Sequence, residues 1–229
     1  MFHMPRSARP VAIALAALLG GLGTLSGCDS LPDTPTTVLQ RDGDHEFRWG
    51  RYDTAAEYYG RILEREPGDP DALEGYGRCM MELGRPAEAA EAFTVAVARR
   101  PGDRDLLILL AQASFDAGDV DEAFELVRTW ALDNTDAKAW LVLADFARRS
   151  NDPDTARDAI ARAIEIDPTG GPEAYLAAAD LERSLGENAT ALRRLRQAYG
   201  LAPEDPAIAD LLRSYGEVPG PTLILPPGP

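Results

Sequence analysis

GRYDTAAEYYGRILEREPGD, residues 50–69, and GRPAEAAEAFTVAVARRPGD, residues 84–103, align without a gap at a spacing of 34. The frame extends in both directions. A small residue recurs at Gly43, Gly77, Ala111, Ala144 and Ala179. Twelve positions after each comes alanine: Ala55, Ala89, Ala123, Ala156 and Ala191. A bulky apolar residue follows four later, at Tyr59, Phe93, Val127, Ile160 and Leu195. Proline closes four units, at Pro67, Pro101, Pro168 and Pro203. Self-similarity at a fixed period in this range is the mark of a stacked-repeat architecture.

Each unit reads as a helix hairpin. Leu73, Tyr76, Gly77 and Met80, then Ala89, Ala92, Phe93 and Ala96, recur at helical spacing. Between the two runs stand Gly50, Gly84, Gly118, Asn151 or Gly186, residue types that tolerate the left-handed conformation ending a helix. The small column lets two helices approach, the large column fills the space beside them, and proline stops the second helix. A hairpin of this size cannot bury enough surface alone, so the units stack.

The columns resemble those of the tetratricopeptide repeat (TPR), with its period of 34. The resemblance implies an all-α superhelix of five repeats, 36–69, 70–103, 104–136, 137–171 and 172–205. Repeat three departs from the pattern: Asn134-Thr135 replaces the closing proline, so its second helix is expected to end early, near Asp133. Repeat one carries polar Asp42 where an apolar residue is usual, which marks its first helix as the least stable. Residues 206–216 read as a capping helix that covers the stack with Ile208, Leu211, Leu212 and Tyr215. The tail, 217–229, is broken by proline and glycine and is expected to be disordered. Within it, Thr222 to Leu225 could instead add a strand to a partner or dock in a groove.

The N-terminus belongs to another class of segment. Arg6 and Arg9 precede VAIALAALLGGLGTLSG, residues 11–27, which carries no charge. A basic start, an apolar run slightly short of a membrane span and small residues before the break describe a signal peptide over 1–27. Cys28 at its end has three readings: a thiol beside an uncleaved anchor, a plain secretory cleavage site, or a lipid attachment point. Leu25-Ser26-Gly27-Cys28 resembles the bacterial lipobox, which implies diacylglycerol on the Cys28 sulfur and cleavage before it. The covalent lipid would be the only non-protein group; no cofactor is expected. Two or three acyl chains hold a protein stably where one is marginal. Residues 28–35 would form an extended tether of at most roughly 26–29 Å beyond the cysteine. The resemblance places the chain in a bacterial envelope, anchored to a membrane and facing the periplasm. Asp29 resembles an inner-membrane retention signal of enteric bacteria, but without an organism the choice of inner or outer membrane stays open.

Charge narrows the partners. The chain has 23 Lys+Arg against 38 Asp+Glu, a net charge of −15, and Lys138 is its one lysine. Such acidity argues against nucleic acid, which needs clustered positive charge. Catalysis is not expected. His45 sits between Asp44 and Glu46, Cys79 sits inside a repeat, and HExxH, CxxC and GxSxG are absent from the sequence. Asp42-Gly43-Asp44 is a fragment of a calcium loop without its other ligands, and the sequon Asn188-Ala189-Thr190 has no role in a bacterial chain.

What remains is the groove. In the TPR family, ligands usually meet the first helix of each repeat at its second, fifth, ninth, twelfth and thirteenth residues. Carried over position by position, the candidates are Arg78, Met81, Ile108, Gln112, Phe115, Lys138, Leu141, Arg148, Arg149, Leu176 and Arg183. They imply an apolar stripe edged by basic residues, suited to an extended peptide or amphipathic helix with some negative charge. The same residues could simply pack between repeats. Gln40 and Asp44 occupy places of the Lys/Asn carboxylate clamp of some TPR proteins, which disfavours chaperone tails. The resemblance points to a scaffold for assembling an envelope complex of pilus, secretin or polysaccharide-export type. The alternative is an adaptor that docks peptidoglycan hydrolases or proteases. Either way the partner is a protein or peptide rather than a small molecule.

Overall fold

The computed structural model describes residues 34–228. The expected signal peptide, Cys28 and most of its tether lie outside them. Among the described residues there are eleven α-helices and one 3₁₀ turn. They run as α1 (Thr36–Arg48), α2 (Tyr52–Leu63), α3 (Pro70–Glu82), α4 (Pro86–Arg99), α5 (Arg104–Ala117), α6 (Val120–Asn134), α7 (Ala137–Arg149), α8 (Pro153–Ile166), α9 (Glu173–Ser184), α10 (Asn188–Leu201) and α11 (Pro206–Ser214). Each of the first five hairpins falls within one unit of the 34-residue frame. None of these helices is long and apolar enough to cross a membrane.

Local chemistry sets where the helices start and stop. Gly50, Gly84, Gly118, Asn151 and Gly186, between the two helices of each repeat, all have positive φ. The motif Pro-Gly-Asp at the end of repeats one and two does more than stop a helix. Asp69 accepts from the backbone N–H of Ala72 at 2.8 Å, and Asp103 accepts from Asp105 and Leu106, so each caps the first helix of the next repeat. Asp136, Asp152 and Asp205 cap α7, α8 and α11 in the same way.

Repeat three closes differently. Its second helix ends at Asn134, one residue from the expected Asp133, yet it is not a shortened helix: at 15 residues α6 is the longest of those described. Thr135 then takes the left-handed conformation, φ 50 and ψ 49, and Asp136 begins the next helix. The left-handed residue and the cap replace the missing proline. In repeat one, α1 buries only Leu39 and Gly43, the fewest of the eleven, and no side chain caps its start.

Hairpins pack in chain order, α1 on α2, α2 on α3, and so on to α11. First helices also touch one another, α1 with α3, α5 with α7 and α7 with α9, whereas no consecutive second helices come so close. A stack drawn together along its first helices curves with those helices inside. The buried apolar residues form two main groups: one spans repeats one and two and reaches Ala113, the other runs from Ala111 to Leu223.

The C-terminal tail is not disordered. Residues 217–228 turn back from α11 through the 3₁₀ turn Pro221–Leu223 and lie against α10, with Leu223 only 8% exposed. The prolines that forbid a helix here leave an extended chain whose carbonyls find donors on α10.

Candidate peptide-binding face

The inner face is built from the exposed sides of α1, α3, α5, α7 and α9. Its character changes along the stack. At the N-terminal end, a cavity of about 790 Å³ lies between α1 and α3. Gln40, Asp44, Phe47, Glu74 and Arg78 line it, together with Arg41, Arg48 and Asp71. Tyr59 of α2 forms its floor and donates its hydroxyl to Asp44 at 2.8 Å. Burial and that carboxylate both raise the phenol's pKa, so it stays a neutral donor. Of these residues only Arg78 stood among the candidates drawn from sequence. Gln40 and Glu74 are polar at the position where the later repeats carry Ile108, Leu141 and Leu176, and Phe47 is the one large apolar side chain that α1 brings to the lining.

Further along, Ile108, Leu141 and Leu176 stand at equivalent positions of three successive first helices, each half-buried. Leu141 and Leu176 pack against the C-terminal core while keeping part of their surface free. Met81 packs on the N-terminal core, and Gln112 is half-buried. Phe115 belongs more to the interior than to the groove. Its ring stacks on Phe146 with centroids 4.6 Å apart, and the Arg149 guanidinium carbon lies over it, 4.3 Å from its centroid. Two pockets open beside the apolar residues. One, of about 320 Å³, is lined by Lys138, Leu141, Asp167 and Glu173, and the other, of about 220 Å³, by Leu176, Arg183, Leu211 and Tyr215.

The basic edge is largely neutralised. Arg78 pairs with Glu74 at 2.9 Å and Arg148 with Asp145 at 2.7 Å. Arg149 pairs with Asp116 of the preceding repeat, and Arg183 with Asp180. Lys138 has no carboxylate at ion-pair distance among the described residues. Arg48, at the N-terminal cavity, is likewise without a carboxylate partner and donates only to the Asp44 carbonyl. Among the described residues the face therefore presents two separated cations rather than a basic rim, and its demand for a negatively charged ligand shrinks accordingly.

The remaining singled-out residues fall where chemistry is quiet. Cys79 is fully buried, and burial pushes its thiol up to about 12, so it stays protonated and unreactive. His45 is exposed beside Trp49. Asp42 pairs with Arg41, and Asn188 opens α10.

Two family profiles, both described as tetratricopeptide repeat, match residues 42–104 and, in overlapping segments, 81–145 and 114–181. Together they span more than half of the 229-residue chain. The chain is a tetratricopeptide repeat protein. Solved structures agree on the TPR fold. A thermophilic TPR protein of Thermus thermophilus is 24% identical, covers 79% of this chain and 98% of its own, and superposes with a TM-score of 0.58. MamA of Desulfovibrio magneticus is 16% identical, over 74% of this chain and 96% of its own, with a TM-score of 0.57. Pseudomonas aeruginosa pilF is 18% identical, over 79% and 88%, with a TM-score of 0.55. At these identities the likeness is one of fold. Comparison with curated protein sequences returns no significant match.

Proposed function

We propose that the protein is a membrane-tethered scaffold that holds a protein segment on the inner face of its TPR superhelix and so assists assembly of an envelope complex. The observation that carries the binding site is the row Ile108, Leu141 and Leu176, partly exposed on successive first helices, with the unpaired Lys138 beside Leu141. Apolar side chains left open in register along a concave face, with one free cation at their edge, suit an extended or helical segment with apolar anchors and few charges. The polar cavity between α1 and α3 would receive the hydrogen-bonding end of the same segment. No bond is made or broken, and no cofactor is required.

The tether rests on the lipobox-like Leu25-Ser26-Gly27-Cys28. Lipid on Cys28 would hold the superhelix within a few nanometres of a periplasm-facing membrane and decide where binding occurs. Envelope assembly, of the pilus, secretin or export type, is the role of the TPR lipoproteins that the repeats and this stretch together resemble.

A photo-crosslinking residue placed at Leu141 or Leu176 in the lipidated chain tests the inner face. Adducts with an envelope protein are expected from both positions and not from Val95 on α4, which is 40% exposed. Equal labelling from Val95 would defeat the groove reading. Cys28→Ala should move the chain from the membrane to the soluble fraction, and retention in the membrane would defeat the anchor.

A further inference from the structure

The C-terminal tail is held by more than apolar contact. The Arg196 Nε donates to the carbonyl of Leu223 at 2.9 Å. The Gln197 Nε2 donates to two tail carbonyls, Pro226 at 3.1 Å and Gly228 at 3.0 Å. Arg194 adds a longer bond to the Gly228 carbonyl at 3.3 Å and is itself oriented by the Gln197 Oε1 and by Glu182. In the other direction the Leu225 amide donates to the Arg196 carbonyl. The Gly228 amide donates to the Tyr175 hydroxyl at 2.7 Å, and that hydroxyl donates on to the Pro168 carbonyl. Gln197 and Tyr175 are 3% and 0% exposed with the tail in place, so both direct buried polar atoms at it. Such groups are costly when left without partners.

The surface beneath the tail is shaped for backbone. Gly200 lies in the last turn of α10, and a Cβ there would stand 2.8 Å from the Leu225 carbonyl oxygen and 3.1 Å from the Ile224 side chain. A helix gains nothing from glycine at such a place. The close passage of an extended chain is what requires it. Leu223 supplies the one buried side chain and joins the C-terminal core. Proline suits the rest, since most of the bonds made here use the tail's carbonyls rather than its amides.

We infer that the α9–α10 edge is a second peptide-binding site, separate from the inner face. It takes an extended, proline-rich segment through backbone carbonyls and one leucine, and residues 221–228 of this chain fill it in cis. A tethered segment competes at an effective concentration on the order of millimolar, so a free peptide gains entry only when the tail is displaced.

The full chain carrying Leu223→Asp tests this, with a fluorescein-labelled peptide EVPGPTLILPPGP as probe and anisotropy as readout. The variant should bind the peptide saturably, and the parent chain about 100-fold more weakly. Adding Gln197→Leu to Leu223→Asp should abolish capture, while Leu176→Ala, on the inner face, should leave it unchanged. If far-UV circular dichroism shows that Leu223→Asp disturbs the fold, Leu223→Ala takes its place. Gly200→Ala provides an independent route. It should raise amide exchange at Leu225 and Gly228 without gaining peptide binding, because the new methyl obstructs tail and probe alike. Uptake of the probe equally by parent and Leu223→Asp, by neither at 1 mM, or free-peptide exchange rates at Leu225 in the parent would each overturn the site. None of these outcomes bears on the inner face.

Discussion

Repeats one and two differ from repeats three to five in the same two columns that define them all. In the first pair, glycine faces an aromatic ring: Gly43 beside Tyr59, and Gly77 beside Phe93. In the other three, alanine faces an aliphatic side chain: Ala111, Ala144 and Ala179 with Val127, Ile160 and Leu195. A Cβ added at Gly77 would stand 2.6 Å from the Phe93 ring, and one at Gly43 would stand 2.9 Å from the Tyr59 ring. The volume given up on one helix is taken up on its neighbour, so the interhelical space stays filled at near-constant packing. The inner face divides along the same line, with polar Gln40 and Glu74 on α1 and α3 where α5, α7 and α9 carry Ile108, Leu141 and Leu176. One backbone frame thus carries two sorts of core and two sorts of surface.

Removing the large partner breaks the exchange most severely. Phe93 is fully buried, and Phe93→Ala should cost about 3–5 kcal/mol in urea unfolding, with the cavity beside Gly77 left unfilled. Enlarging the small partner should cost less. Gly77→Ala gains helix propensity but forces the methyl into the ring, for a net loss of about 1–3 kcal/mol. The informative measurement is the double variant Gly77→Ala with Phe93→Leu, which rebuilds the alanine–aliphatic pairing of the later repeats. It should be more stable than the sum of the two single effects, by a coupling of about 0.5–3 kcal/mol. Plain additivity would show that the two columns do not exchange volume.

The repeat frame was legible because its columns recur in phase and each has a packing reason. The five inter-helix turns were readable for the same reason, since glycine and asparagine tolerate positive φ. What escaped was of two kinds. Pairs one period apart, such as Arg149 with Asp116, are invisible until the units are stacked, so the groove cations looked free. Arg148 with Asp145 and Arg183 with Asp180 lie three apart on one helix and could have been found by pairing charges along each helix. The tail escaped because its partners, Tyr175 and α10, lie 27 to 53 residues away, and its proline-rich composition is the same whether a chain is solvated or docked.

Repeat three offers a smaller test of the shared frame. Thr135, at the junction of repeats three and four, holds φ 50, a left-handed conformation for which the hairpin turns mostly use glycine, and a β-branched residue is strained in it. Thr135→Gly should therefore stabilise the chain by about 1 kcal/mol, read as a raised urea midpoint with unchanged slope. A loss of stability instead would mean that the threonine side chain makes up more than its backbone costs.

The smallest effect concerns the support beneath the tail, which the N-terminal repeats lack. Glu182 is 7% exposed, and burial raises its pKa above the ordinary carboxylate value despite Arg194 nearby. A carboxyl whose pKa is higher folded than unfolded binds its proton more tightly in the native state. Its ionisation then costs stability as pH rises from the unfolded value through the raised one, and the cost is complete above it. Below the unfolded value both states are protonated and the cost vanishes. Glu182→Gln keeps the shape and stays neutral, while Arg194 retains its bonds to Gln197 and Gly228. The variant should thus unfold at a slightly higher temperature than the parent at pH 7 and at the same temperature at pH 4. If it is instead less stable at pH 7, the attraction to Arg194 outweighs burial, and the carboxylate is there to hold the arginine that grips the tail.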